Sequence, residues 1–184
     1  MVEIDAVFNV AIRDTGIEIR HQVETGGGAM MDLGCYPLHW ALTVMGMAPD
    51  SISAEAELTP AGVDESLQAT LTFPGGGVAR LSTSMAAGTP FHAAMKITGS
   101  AGTIDFHNPL APHQGAALTL TTGSRQTQAV IDPVSTYTWQ LATLVQGLET
   151  GEAPLPTEGE MILRQQAALD AIYSAAGLSY LRGL

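Results

Sequence analysis

The 184-residue chain is short of cysteine, of basic residues and of aromatic side chains. Cys35 stands alone, so no intrachain disulfide can form, and a reducing, cytoplasmic setting is expected. Seven Lys and Arg against eighteen Asp and Glu leave a formal net charge of −11. Nucleic acid and anionic membrane both require a basic face, so neither is expected as a partner. No apolar run approaches the ~20 residues that span a bilayer. The opening stretch MVEIDAVFNV lacks a basic segment followed by an apolar one, so no signal peptide is expected. Familiar nucleotide and hydrolase signatures are missing too. Neither GGGAMM nor GGGVAR has the third glycine of G-x-G-x-x-G, and no P-loop, G-x-S-x-G or H-E-x-x-H occurs. His107 and His113 sit six residues apart in HNPLAPH without a zinc spacing, so no metal is expected. They read as surface-loop residues, with a substrate-facing role second.

What is present is a hydrophobic fraction of 46% in a length sufficient for one domain with a real core, residues 1–184. Strand patterns dominate the first two-thirds. In SISAEAEL (51–58), Ile52, Ala54, Ala56 and Leu58 alternate with polar residues, a period of two that marks one wet face. ESLQATLTF repeats the pattern, PGGG turns the chain, and Ala79, Leu81, Thr83 and Met85 alternate on the return. AAMKIT and TIDF flank GSAG, and ALTLTT and TQAVI flank GSR, as further hairpins. DAVFNVAIRD and IEIRHQV are two more predicted strands. Short connections imply antiparallel pairing.

Three helices are predicted. The first runs from the glycine triplet to about Met45, with Gly46 as its stop. The second starts at Asp132-Pro133, passes Tyr137, Leu141, Leu144, Val145 and Leu148, and ends near Gly151. The third opens on a capping box, Thr157 to Glu160. It buries Ile162, Leu169, Ile172 and Tyr173 and closes at Gly177. Strands with segregated helices give an α+β domain: a large, mostly antiparallel open sheet with helices on one face.

The stretch GGGAMMDLGCYPLHW (26–40) carries the chemistry. Asp32, Tyr36 and His39 are spaced i, i+4 and i+7, which share one helix face. A phenol can give a proton to a developing alkoxide. It can accept one only if a neighbouring cation lowers its pKa of ~10. A carboxylate one turn away can orient such a group, and an imidazole can bond a substrate hydroxyl. The plainer alternative is an ordinary helix start, where the macrodipole favours an Asp anyway. Pro37 requires either a kink or an irregular first turn. The glycines would admit a planar ligand or another backbone. Arg20 and His21 are plain strand residues or reach the same pocket, and Cys35 reads as a packing residue.

GGGAMMDLGCYPLHW resembles the GGG…D-x-G-x-(H/Y) segment of the glucose–fructose oxidoreductase, inositol dehydrogenase and MocA family. Tyr36 at the last position is nearer the glucose–fructose oxidoreductase and dimeric dihydrodiol dehydrogenase branch. VDESLQATLTFPGG, ITGSAGTIDFHNP and the last two helices extend the resemblance along the chain. It covers the C-terminal half of a family member, so an N-terminal Rossmann domain, with its E-K-P lysine, is expected to be absent here. The resemblance implies Tyr36 as acid–base and Asp32 as its catalytic companion. His39 and Arg20 would contact substrate, and Gly34 would lie near the nicotinamide. NAD or NADP would serve the full-length enzyme, with none bound tightly by this chain. The implied partners are a carbohydrate-like or diol substrate, the Rossmann domain, and a homodimer or tetramer formed through the sheet face. A stand-alone scaffold module of the same fold is the alternative.

Overall fold

The computed structural model describes residues 1–151 and 159–178. Among them run eight strands: β1 (Glu3–Asn9), β2 (Ser51–Leu58), β3 (Asp64–Thr72), β4 (Val78–Ser84), β5 (His92–Gly99), β6 (Gly102–His107), β7 (Ala117–Thr122) and β8 (Arg125–Gln128). The α-helices are α1 (Cys35–Met45), α2 (Thr136–Thr150) and α3 (Glu160–Ala175). All eight strands join one open sheet, ordered β2-β3-β4-β1-β5-β6-β7-β8. The architecture is α+β, as the alternation predicts.

The hairpins follow their turns. Gly75 and Gly76, both at positive φ, let the chain reverse between β3 and β4, and the Phe73 N–H bonds the Gly77 carbonyl at 2.8 Å. β1 breaks the antiparallel rule. It lies between β4 and β5, parallel to the first and antiparallel to the second. A parallel pair needs a long crossover, and the segment carrying α1, β2 and β3 supplies it.

Alternation along β1 sends Ile4, Ala6 and Phe8 toward the helices and Glu3, Asp5, Val7 and Asn9 to the other face. Ile4, Leu67, Leu71 and Phe73 from the sheet meet Leu38 and Leu42 of α1 and Leu169 and Ile172 of α3. Burying each such side chain contributes roughly 1.5–3 kcal/mol. The opposite face is polar. There Arg80 bonds Glu3 at 3.1 Å and Asp5 at 3.5 Å, and Lys96 lies 4.0 Å from Asp105.

Several boundaries differ from the sequence reading. IEIRHQV is no strand. Residues Ile19–His21 and Val23–Thr25 form two 3₁₀ turns, because the Gly27 and Gly28 N–H groups fold back onto the Gln22 and Arg20 carbonyls, each at 2.9 Å. β8 ends at Gln128, before the predicted Ala129–Ile131. α2 is capped by Ser135, whose Oγ accepts the Tyr137 N–H at 3.3 Å. Asp132 instead caps a preceding turn through the Val134 N–H at 3.2 Å. α3 begins after Gly159, while Thr157 and Glu158 lie outside the described residues. Ile162 is exposed on α3, and the buried stripe is Ala168, Leu169, Ile172 and Tyr173. Gly46, Gly151 and Gly177 all take positive φ at helix ends, as predicted.

Candidate active site

The helical stretch that begins at Ala29 does not start as an α-helix. Met30–Gly34 forms a π turn, and regular α geometry begins at Cys35. Pro37 has no N–H to bond the carbonyl four residues back, and the wider turn directly precedes it. Pro37 is thereby accommodated by an irregular first turn, and its ring is buried. Because an extra residue occupies that turn, the ideal i, i+4, i+7 alignment is not kept.

The N-terminus of this stretch is held by a residue that periodicity does not reveal. Asp64, fully buried at the start of β3, accepts the Met30 N–H at 2.6 Å and the Tyr173 hydroxyl at 3.1 Å. Burial pushes its carboxyl up to about 6 despite these two bonds. Gly28 packs directly on this carboxylate, and a Cβ there would collide with Asp64 Oδ1. A Cβ on Gly27 would meet the Arg20 carbonyl oxygen at 2.5 Å. At Gly34 a Cβ would strike the Met30 sulfur and come within 3.2 Å of Thr83 Cγ2. The glycines therefore admit neighbouring backbone and side chains. Gly34 faces the protein interior rather than an open ligand surface.

The same folding-back carries Arg20 to Asp32. Arg20 Nε donates to Asp32 Oδ2 at 2.7 Å, and Nη1 donates to Glu18 Oε1 at 2.9 Å. The Asp32 charge, first, raises the Arg20 pKa. Tyr36 follows in the first turn of α1, with 43% of its surface open to solvent. Its ring meets the buried Phe8 ring edge-to-face, with centroids 5.5 Å apart. Partial burial raises the phenol's pKa, and the neighbouring Cys35, Tyr137 and Asp32 raise it further. At neutral pH Tyr36 therefore keeps its proton. Cys35 is pushed up to about 11 by burial and then by Asp32, so its thiol is inert.

His39 turns elsewhere. Its Nδ1 lies 2.9 Å from Gln165 Oε1 on α3, and the same amide donates to the Cys35 carbonyl at 2.8 Å. With the amide nitrogen so engaged, its oxygen faces His39, and Nδ1 carries the proton. The structure thus pairs Arg20 with Asp32, sets the Tyr36 ring against Phe8 within electrostatic reach of Asp32, and ties His39 to α3. His21 is buried, with Nε2 2.9 Å from the Ile12 carbonyl, and is a structural residue.

A dinucleotide's pyrophosphate commonly sits on a glycine-rich helix start. Here that position does not fit one. The Met30 N–H is already taken, and a carboxylate occupies the space beside Gly28. Among the described residues, no group of three or more His, Cys, Asp or Glu could hold a metal ion.

One open sheet, with α1 and α3 packed on one face, defines an α+β domain. The chain belongs to the GFO/IDH/MocA family: the model of that family's C-terminal domain matches residues 2–105. It is 28% identical over 180 residues to D-xylose 1-dehydrogenase (NADP(+)) 2 of Haloferax volcanii, covering 96% of this chain and 54% of that protein. It is 40% identical over 82 residues to trans-1,2-dihydrobenzene-1,2-diol dehydrogenase of Xenopus tropicalis, covering 44% and 24%. The fold superposes on aldose-aldose oxidoreductase from Caulobacter crescentus, complexed with glycerol, with a TM-score of 0.82. That match has 23% identity and covers 95% of this chain and 53% of the other. The chain spans about half the length of the curated relatives it matches along most of its own length.

Proposed function

We propose that the chain is the substrate-binding and oligomerisation domain of an NAD(P)-dependent oxidoreductase acting on a CH–OH group. The substrate classes are a sugar or polyol, as in the xylose dehydrogenase relative, or a trans-dihydrodiol, as in the dihydrodiol dehydrogenase relative. One observation carries the reading: a half-exposed, protonated Tyr36 stands just after the Arg20–Asp32 pair in a chain of this family.

The nicotinamide would supply hydride chemistry within the whole enzyme. This chain's part is the proton. During carbonyl reduction the Tyr36 O–H bond breaks, its proton goes to the substrate oxygen, and the phenolate is reprotonated from water. In the reverse direction Tyr36 takes the hydroxyl proton, which requires a cation from outside this chain to lower its pKa. Asp32, oriented by Arg20, positions the substrate hydroxyls.

A partner domain is supported by α2. Tyr137, Leu141, Leu144, Val145 and Leu148 line one stripe of it, and the helix buries none of its residues. Helices of this length owe most of their stability to packing, so this stripe is the surface for a cofactor-binding domain. A second copy is supported by the polar sheet face, which holds a shallow cavity of about 630 Å³. Asn9 Oδ1 is buried there without a hydrogen-bond partner among the described residues.

The test is Tyr36→Phe in the enzyme that joins this domain to its cofactor-binding half. Turnover should fall about 10²- to 10⁴-fold, the range for a positioned proton donor, with substrate affinity nearly kept. Unchanged turnover would remove Tyr36 from the chemistry.

A further inference from the structure

We infer that Asp64 and Gln165 are positioning residues: they grip the π turn Met30–Gly34 at its two ends, and through them helix α3 sets the place of Asp32 against Arg20. The consequence for turnover rests on the role proposed above for Asp32 toward substrate hydroxyls.

A π turn carries one residue more than the α geometry beside it, and it persists only where its surroundings hold it. Here it is held on either side. At its start, the Met30 N–H donates to Asp64 Oδ2 at 2.6 Å. The other carboxylate oxygen accepts the Tyr173 hydroxyl of α3 at 3.1 Å, and both side chains are fully buried. Just past its end, the Cys35 carbonyl accepts the Gln165 Nε2–H at 2.8 Å. Gln165 Oε1 meets His39 Nδ1, one turn further along α1, at 2.9 Å. Gln165 and Tyr173 both belong to α3, about 12 Å apart along its axis. One helix thus reaches both ends of the turn.

Against this grip lies a closed ring of hydrogen bonds. The Gly28 N–H donates to the Arg20 carbonyl at 2.9 Å, and the Asp32 N–H donates to the Gly28 carbonyl at 3.2 Å. Arg20 Nε closes the ring on Asp32 Oδ2 at 2.7 Å. Asp64 packs on Gly28, the middle member of the ring, as well as on Met30. The Arg20 and Asp32 side chains are 40% and 36% exposed, so their ion pair by itself holds little. The buried carboxylate, bonded at both oxygens, resists displacement far more, because moving it leaves buried groups unpaired. The Gln165 amide is likewise engaged at both ends. The grip therefore places the ion pair, and not the reverse.

Arginine Nε–H signals in NMR of the 184-residue chain test this, with Arg20→Lys to identify the Arg20 signal. In the native chain that N–H should exchange slowly with water. Gln165→Leu and Asp64→Ala each release one end of the turn. Each should speed exchange of the Arg20 N–H about tenfold, with circular dichroism unchanged. Labelling of Cys35, the only cysteine, should quicken by a similar factor. Asp64→Asn keeps an acceptor for the Met30 N–H and should keep the native rates. Leu163→Ala, exposed on the same helix, should move neither readout. In the enzyme joined to its cofactor-binding half, Gln165→Leu should raise KM about tenfold and leave kcat within about twofold. An Arg20 signal unmoved in Gln165→Leu, an equal response to Leu163→Ala, or a fall in kcat at unchanged KM would overturn the proposal. Gln165→Leu decides the matter if Asp64→Ala does not fold. Turnover retained in Tyr36→Phe would remove the acid–base assignment and leave the Arg20 signal as it is, so the two readings fail separately.

Discussion

Asp64 shows how one buried carboxyl governs the helix that carries the site. Its ordinary pKa is near 4, and burial moves it to about 6 in the folded chain. Between those values the folded state binds the proton that the unfolded state has released. The stability linked to this group is therefore complete below pH 4 and is lost as pH rises through about 6. Two pH units correspond to about 3 kcal/mol. Asp64→Asn retains an acceptor for the Met30 N–H but cannot ionise. Urea unfolding at pH 4 and pH 6.5 should show a fall for the native chain that the variant lacks. Parallel pH dependences in the two proteins would assign the slope to other carboxyls.

At the scale of the element, the glycine turn and the π turn act as one device. Gly28 has φ +123° and no room for a Cβ beside Asp64, whereas Gly26 has φ +69° and open space around it. Gly26→Ala should cost only the left-handed backbone, about 1 kcal/mol. Gly28→Ala adds a collision with the carboxylate that holds Met30, for roughly 3 kcal/mol or more. Thermal melts of the two variants measure the difference, and similar melting temperatures would contradict the packing described. The triplet thus holds the site together by letting residues 20–22 lie against residues 27 and 28, which brings Arg20 to Asp32.

For the whole molecule, the two faces of the sheet divide the work. One is sealed by α1 and α3; the other presents Glu3, Asp5, Arg80, Lys96 and Asp105 around Val7 and Asn9. If a second copy covers this face, sedimentation should report a dimer or tetramer of the chain at high concentration. Val7→Arg, at the centre of the central strand, should reduce it to monomer with unchanged circular dichroism. A native chain that sediments only as monomer would show that this face is not an interface.

Most strands were legible because a half-wet strand must alternate and a tight hairpin must use glycine. β2, β3 and β4 follow from that alone, and so do the helix stops at Gly46, Gly151 and Gly177. Asp32 and Tyr36 were legible as a candidate motif from residue type and spacing, and Pro37 foretold the irregular turn beside them. The insertion of β1 between β4 and β5 was not, because strand order depends on which edges meet after collapse and leaves no local trace. Nor was the alternation in IEIRHQV a strand, since its backbone donors and acceptors are taken by turns and by the glycines that fold onto it. Asp64 gained its role only from contacts with Met30 and Tyr173, far along the chain, which no periodicity encodes. By itself the sequence determined most of the hairpins and the helix stops, because both are set by local chemistry. Only the tertiary structure decided which face of Gly34 is filled, that His39 belongs to α3, and which aromatic rings surround Tyr36. Those outcomes depend on packing between distant segments.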